Sequence, residues 1–161
     1  MITIRPYRPE DRAACNQVFF RAVREGASGF YDTDMREYWA PDIDVAANRL
    51  DKLLDQSCWV SEEGGQITGF MSLMRDGHLD MAFVLPEFMG QGHAARLYDQ
   101  LLAHARTVGH PVLTVKASEY SRRFLSRRGW QLDRVEHVTD DGPEFDMNYM
   151  SLILADPGAT P

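Results

Sequence analysis

The spacing of apolar residues changes period along the chain, and the changes predict its elements. Ile2 to Arg5 alternates as a short strand, and the turn Pro6 to Asp11 leads into a helix with an acidic first turn. Ala14, Val18, Phe19, Ala22 and Val23 recur at helical spacing until the glycines at 26 and 29 break the pattern. Residues 30–41 are aromatic-rich and read as a loop plus a short helix stopped by Pro41. Asp44 then caps a helix carrying Val45, Leu50, Leu53 and Leu54.

Between Cys58 and Val84 the period drops to two, the mark of antiparallel strands. Cys58 to Ser61 pairs with Gln66 to Met74 across a turn at residues 62–65, and Arg75-Asp76-Gly77 turns into a third strand, His78 to Val84. Pro86 ends that strand because it has no amide hydrogen for the ladder. Strict alternation puts His78, Asp80, Ala82 and Val84 on one face and Leu79, Met81 and Phe83 on the other. A long amphipathic helix follows from about Gly92 to Val108, with Leu97, Leu101, Leu102 and Ala105 on one side. Val112 to Lys116 is a strand, Glu119 to Arg128 a helix, and two strands close the chain near 132–139 and 144–154. The unit spanning 78–116 is a strand-helix-strand crossover, which implies one parallel pair within an otherwise antiparallel α/β sheet. We expect one domain over residues 1–154, followed by a flexible tail at 155–161.

Composition narrows the function classes. The 161 residues carry a formal charge of −7, which argues against a broad nucleic-acid surface, because duplex binding relies on basic residues that neutralise phosphates. No apolar run approaches the roughly 20 residues of a membrane span, and the N-terminus lacks the basic and apolar stretches of a secretion signal. A cytoplasmic protein, with no nucleic-acid or membrane partner, is the expectation. Cys15 and Cys58 have no Cys or His cluster near them, so they read as buried apolar residues, with neither a metal site nor a disulfide indicated.

The chemistry concentrates in Val84-Leu85-Pro86-Glu87-Phe88-Met89-Gly90-Gln91-Gly92-His93-Ala94, which leaves a strand, turns through two glycines and enters the long helix. Glycines let backbone approach a ligand, and the unpaired amides at the helix start suit a pyrophosphate. A Walker A loop would need a Lys after Gly92, and a dinucleotide fingerprint a glycine at 95, where Ala stands. Downstream, Leu113 to Ser118 and Phe124 to Trp130 give a strand, a short helix and a glycine-aromatic pair. Arg122, Arg123, Arg127 and Arg128 put four cations within seven residues. Each either reaches a bound anion or forms a solvated helix face.

With these residues in place the chain resembles the GCN5-related N-acetyltransferase (GNAT) family, whose coenzyme loop reads V-x-P-x-x-[R/Q]-G-x-G-x-[G/A]. The match falls on Val84, Pro86, Gly90, Gly92, Ala94, Gly129 and Trp130. The resemblance implies a mixed, mostly antiparallel central sheet of about seven strands flanked by about four helices. It implies acetyl-CoA as cofactor, held along Ala82, Phe83, Val84, Met89, Gly90, Gln91, Gly92, His93, Ala94 and Ser118, and direct acetyl transfer to a primary amine without a covalent enzyme intermediate. A backbone amide near Phe83 or Val84 would polarise the thioester oxygen. The sequence departs from the family at three positions: Met89 stands for Arg or Gln, Ser118 for an asparagine, and Leu125 for the tyrosine that often protonates the leaving thiolate. These departures keep open a rival, a coenzyme-binding sensor or interaction domain that has lost catalysis.

An ammonium must lose a proton before it attacks. The family places its proton acceptors four and six residues before the motif's valine, where this chain has Asp80 and His78. Tyr149, Tyr31 and Tyr120 carry phenols that could act as acids, with Tyr149 and Tyr31 ranked ahead, or there is no acid, since a thiolate leaves tolerably without one. Tyr31 and Trp39 are expected in the wall around the acceptor amine. No metal is expected, and a homodimer is an admissible assembly.

Overall fold

The computed structural model describes residues 1–26, 33–40, 48–139 and 142–154. Its strands are β1 (Thr3–Pro6), β2 (Ser57–Glu63), β3 (Gln66–Leu73), β4 (His78–Val84), β5 (Val112–Ala117), β6 (Gln131–Val138) and β7 (Phe145–Ile153). They form one sheet in the order β1-β2-β3-β4-β5-β7-β6. Every neighbouring pair is antiparallel except β4 and β5. Among the described residues the α-helices are α1 (Arg12–Arg21), α2 (Thr33–Trp39), α3 (His93–Val108) and α4 (Glu119–Ser126). This is the mixed α/β architecture the sequence implies, with α3 making the crossover that leaves β4 and β5 parallel. No helix among the described residues is long and apolar enough to cross a membrane.

Each sheet face covers its own core. Leu97, Leu101 and Ala105 of α3, spaced by four, are wholly buried against Leu73, Leu79, Leu113 and Met150. On the other face Val18 and Phe19 of α1 pack with Leu50, Leu53, Val60, Phe70 and Met81. Burying one such leucine contributes about 1.5–3 kcal/mol. Cys15 and Cys58 lie free in this second core, and burial pushes the Cys58 thiol up to about 12, so it stays protonated and inert.

Three local expectations are corrected. The segment read as an Asp44-capped α-helix is described only from Asn48, where it is a 3-10 helix to Asp55; Asp44 and Val45 lie outside the described residues. A period of three stacks Leu50 on Leu53, both 1% exposed, and leaves Leu54 63% exposed. The first hairpin turn is shorter than expected: β2 runs through Glu63, and Gly64 and Gly65, both with positive φ, make a two-residue turn.

The third correction bears on the site. Ser72 pairs with Met81 but Leu73 pairs with Leu79, so Asp80 is an extra residue in a β-bulge. The bulge breaks the alternation of β4. Leu79 joins the α3-side core, whereas Met81 and Phe83 join the α1-side core. The faces read from strict alternation therefore hold only beyond the bulge.

Candidate active site

β4 and β5 pair only at His78 with Thr114 and Leu79 with Val115. β4 continues to Val84 and β5 to Ala117 with no ladder between them. The sheet opens there into a cleft of about 650 Å³, within the range of small-molecule pockets. Ala82, Phe83 and Val84 line one side, Val115 and Lys116 the other. Consecutive strand residues aim their amides at opposite edges, so one of Phe83 and Val84 turns its N–H to the unpaired edge.

One end of the cleft is built to hold an anion. Gly90 and Gly92 adopt φ of +77° and +94°, which turn the chain sharply from the Pro86–Phe88 helical turn into α3. A Cβ on Gly90 would meet nothing within 4 Å, and one on Gly92 only Ile2 Cδ1 at 4.0 Å, so backbone here faces open space. The first intrahelical bond runs from the Arg96 amide to the Gly92 carbonyl at 3.1 Å, leaving the amides of His93, Ala94 and Ala95 without an intrahelical acceptor. Met89, Gly90, Gly92, Ala94 and Ala95 line the cleft. Diphosphate chemistry fits this cradle, with free amides at the positive end of a 16-residue helix.

Two side chains of the loop are engaged away from the cleft lining. Gln91 folds back, its Nε2 donating to the Glu87 carbonyl at 2.9 Å. The His93 ring turns inward: Nδ1 lies 2.7 Å from Thr68 Oγ1, which lies 2.8 Å from Ser61 Oγ, and Nε2 has no hydrogen-bond partner among the described residues and sits 3.7 Å from Glu63 Oε2. Burial lowers the His93 pKa, so the ring is neutral at pH 7, and only its backbone is available to the cleft.

Helix α4 closes the opposite wall. Ser118, whose Oγ accepts from the Ser121 amide at 3.3 Å, caps it and lines the cleft. Tyr120, Arg123, Phe124 and Arg127 share one face at helical spacing and line it too. Arg127 has no ion pair among the described residues, and Arg128 stacks its guanidinium 3.7 Å from the Phe124 ring centre. Arg122 instead bonds Glu119 and Asn148, outside the cleft lining. Leu125 is buried in the α3-side core.

At the point where the strands part stands Asp80. Its Oδ2 accepts from Lys52 Nζ at 2.8 Å and from Gln56 Nε2 at 2.9 Å, and Oδ1 accepts nothing among the described residues. The carboxylate is held by the 3-10 helix and the residue after it, and Phe19, Val23, Trp39 and Phe83 line the same cleft. Trp39 stands edge-on to Phe145 at 5.0 Å, which ties α2 to β7.

The remaining candidates fall elsewhere. His78 is outside the cleft lining, its Nδ1 2.8 Å from Thr114 Oγ1. Tyr149 is outside it too, donating to Glu136 Oε2 at 2.7 Å under the Arg134 guanidinium. Tyr31 lies outside the described residues. The phenol that does line the cleft is Tyr120, ranked last from sequence; its spacing from Phe124 and Arg127 was the available signal. Burial raises its pKa, which keeps the hydroxyl protonated. Lys52 and Gln56 were missed, since nothing in the sequence ties them to a strand more than twenty residues on.

A family model for the acetyltransferase (GNAT) domain matches residues 24–150. Among solved structures, a GCN5-related N-acetyltransferase from Rhodopseudomonas palustris superposes with a TM-score of 0.86 over 94% of this chain and 95% of that one, at 29% identity. YncA of Salmonella typhimurium, solved with its cofactor acetyl-CoA, gives 0.72 at 23% identity over 100% of this chain and 98% of its own. The PaiA N-acetyltransferase of Thermoplasma acidophilum, in complex with coenzyme A, gives 0.73 at 14% identity over 96% and 99%. The last two share the fold. No curated protein matches the chain.

Proposed function

The chain belongs to the GNAT acetyltransferase family, and from that premise we propose that it moves an acetyl group from acetyl-CoA to a primary amine by direct attack within a ternary complex. The observation that carries the reading is the opening between β4 and β5, whose lining includes both the Gly90–Gly92 turn and Asp80. Acetyl-CoA, when bound, supplies the acetyl group activated as a thioester. The residues of the chain do the rest.

The amides of the glycine turn and of the first turn of α3 hold the pyrophosphate, and Arg123 and Arg127 add positive charge in a chain of net −7. Met89 in place of Arg or Gln costs little here, because backbone supplies the donors. The unpaired amide at Phe83 or Val84 donates to the thioester oxygen, a fixed dipole of the oxyanion-hole kind. Asp80 takes the amine proton as the new bond forms, and Tyr120, the phenol of the cleft, stands where Leu125 leaves the family's tyrosine position empty of acid. Trp39, Phe19 and Val23 shape an apolar wall for the acceptor. Residues 1–154 form the catalytic domain in this reading.

Titration with acetyl-CoA, followed by thiol release on an amine panel, tests the proposal. Binding with amine-dependent thiol release is the expected outcome. Binding with no release on any amine would favour the lapsed sensor, and failure to bind overturns both.

A further inference from the structure

We propose that Lys52 is an internal acceptor, acetylated on its own ε-amine by the site that Asp80 serves; the inference rests on the acetyl-transfer reading above. A general base must stand within hydrogen-bond reach, about 2.6–3.2 Å, of the proton it removes. Lys52 Nζ meets that condition at 2.8 Å from Asp80 Oδ2. A primary alkylammonium therefore already occupies the base that serves the acceptor.

The sequence provides its own comparison. Lys52 and Lys116 are the only lysines of the chain. Lys116 lines the cleft on β5 but lies over the Tyr149 ring, 5.6 Å from its centre, with no carboxylate in ion-pair reach among the described residues. Lys52 is on the 3-10 helix with its side chain 51% exposed, while Asp80 is 16% exposed, so a long flexible stem delivers its amine from the surface to a sheltered carboxylate.

The step balances without any further reactant. The Lys52 nitrogen bonds the acetyl carbon, the carbon–sulfur bond breaks, and the coenzyme leaves as thiolate. The Lys52 ammonium first gives one proton to solvent, since only the neutral amine has a lone pair to attack with, and the attacking nitrogen gives its second proton to Asp80 Oδ2 as the nitrogen–carbon bond forms. From Asp80 it passes to solvent or to the thiolate. The product amide carries no charge, so the Asp80 ion pair is lost and the event occurs once per chain.

The test is to incubate the full chain with acetyl-CoA and no amine, and to follow intact mass and the modified peptide. The expected result is a single acetyl group on Lys52, formed at a rate independent of protein concentration and slowed when a good amine acceptor competes. Asp80→Asn, or the chain unfolded in urea, should acetylate Lys52 at least about 10²-fold more slowly. Lys52 unmodified while added amines are acetylated would overturn this inference and leave the transferase reading intact. Equal rates in the folded, Asp80→Asn and unfolded chains would also overturn it, as uncatalysed chemistry. If neither Lys52 nor any added amine is acetylated, the transferase reading fails first.

Discussion

Gly92 and Gly109 stand at the two ends of α3 with nearly the same backbone, φ +94° and +92°, and a Cβ on either meets no atom closer than 4 Å. Replacing each with alanine is thus a matched pair. Holding a non-glycine residue in the left-handed region costs about 1–2 kcal/mol. For a domain of this size that lowers Tm by about 2–8 °C, the same in both variants. Only Gly92 lines the cleft, so only there does the added methyl stand against a bound pyrophosphate. Losing two hydrogen bonds to charged oxygens, at about 1.5–3 kcal/mol each, weakens acetyl-CoA binding by at least about 10²-fold. Thermal melts and calorimetric titration read the two quantities separately. If Gly92→Ala binds acetyl-CoA as the natural chain does, the phosphate cradle is not where we place it. If Gly109→Ala loses affinity equally, the effect runs through stability.

Asp80→Asn should leave acetyl-CoA affinity unchanged and lower kcat by about 10²–10⁴, measured as thiol release at pH 7. Trp39→Ala should raise KM for apolar amines while kcat changes less, which a panel graded in side-chain size will detect. The lowered His93 pKa means that the unfolded chain binds the proton more readily. Stability should therefore fall as pH drops below about 6.5, and His93→Gln should flatten that part of the Tm profile. Asp11, 5% exposed, is hydrogen-bonded by both arms of the Arg5 guanidinium, which holds its pKa below the usual range. That contribution is present above about pH 4 and lost below it, and Asp11→Asn should remove it at neutral pH, seen as a lower midpoint in urea.

Sequence patterns revealed what is local. The glycine turn, the α3 stripe of Leu97, Leu101 and Ala105, and the β4–α3–β5 crossover depend on neighbours within a turn or two, and each is where the residues implied it. Asp80 illustrates what is not local. Its direction depends on a bulge set by the register of β3, and its partners Lys52 and Gln56 come from a separate 3-10 helix and the residue that follows it. His93 is the converse case: a loop position suited to a ligand, whose ring is drawn inward by Thr68 and Ser61 on a hairpin it precedes nowhere in sequence. Leu54 turned outward because the helix carrying it has a period of three, which the apolar spacing alone did not distinguish.

The central claim is direct transfer between two ligands bound together, with no acyl group passing through the enzyme on its way to the amine. Initial velocities of thiol release, measured against acetyl-CoA at several fixed amine concentrations in the Lys52→Arg chain, test it most directly. Intersecting double-reciprocal lines are the predicted result. Parallel lines, with acetyl recovered on a protein side chain before amine is added, would contradict it.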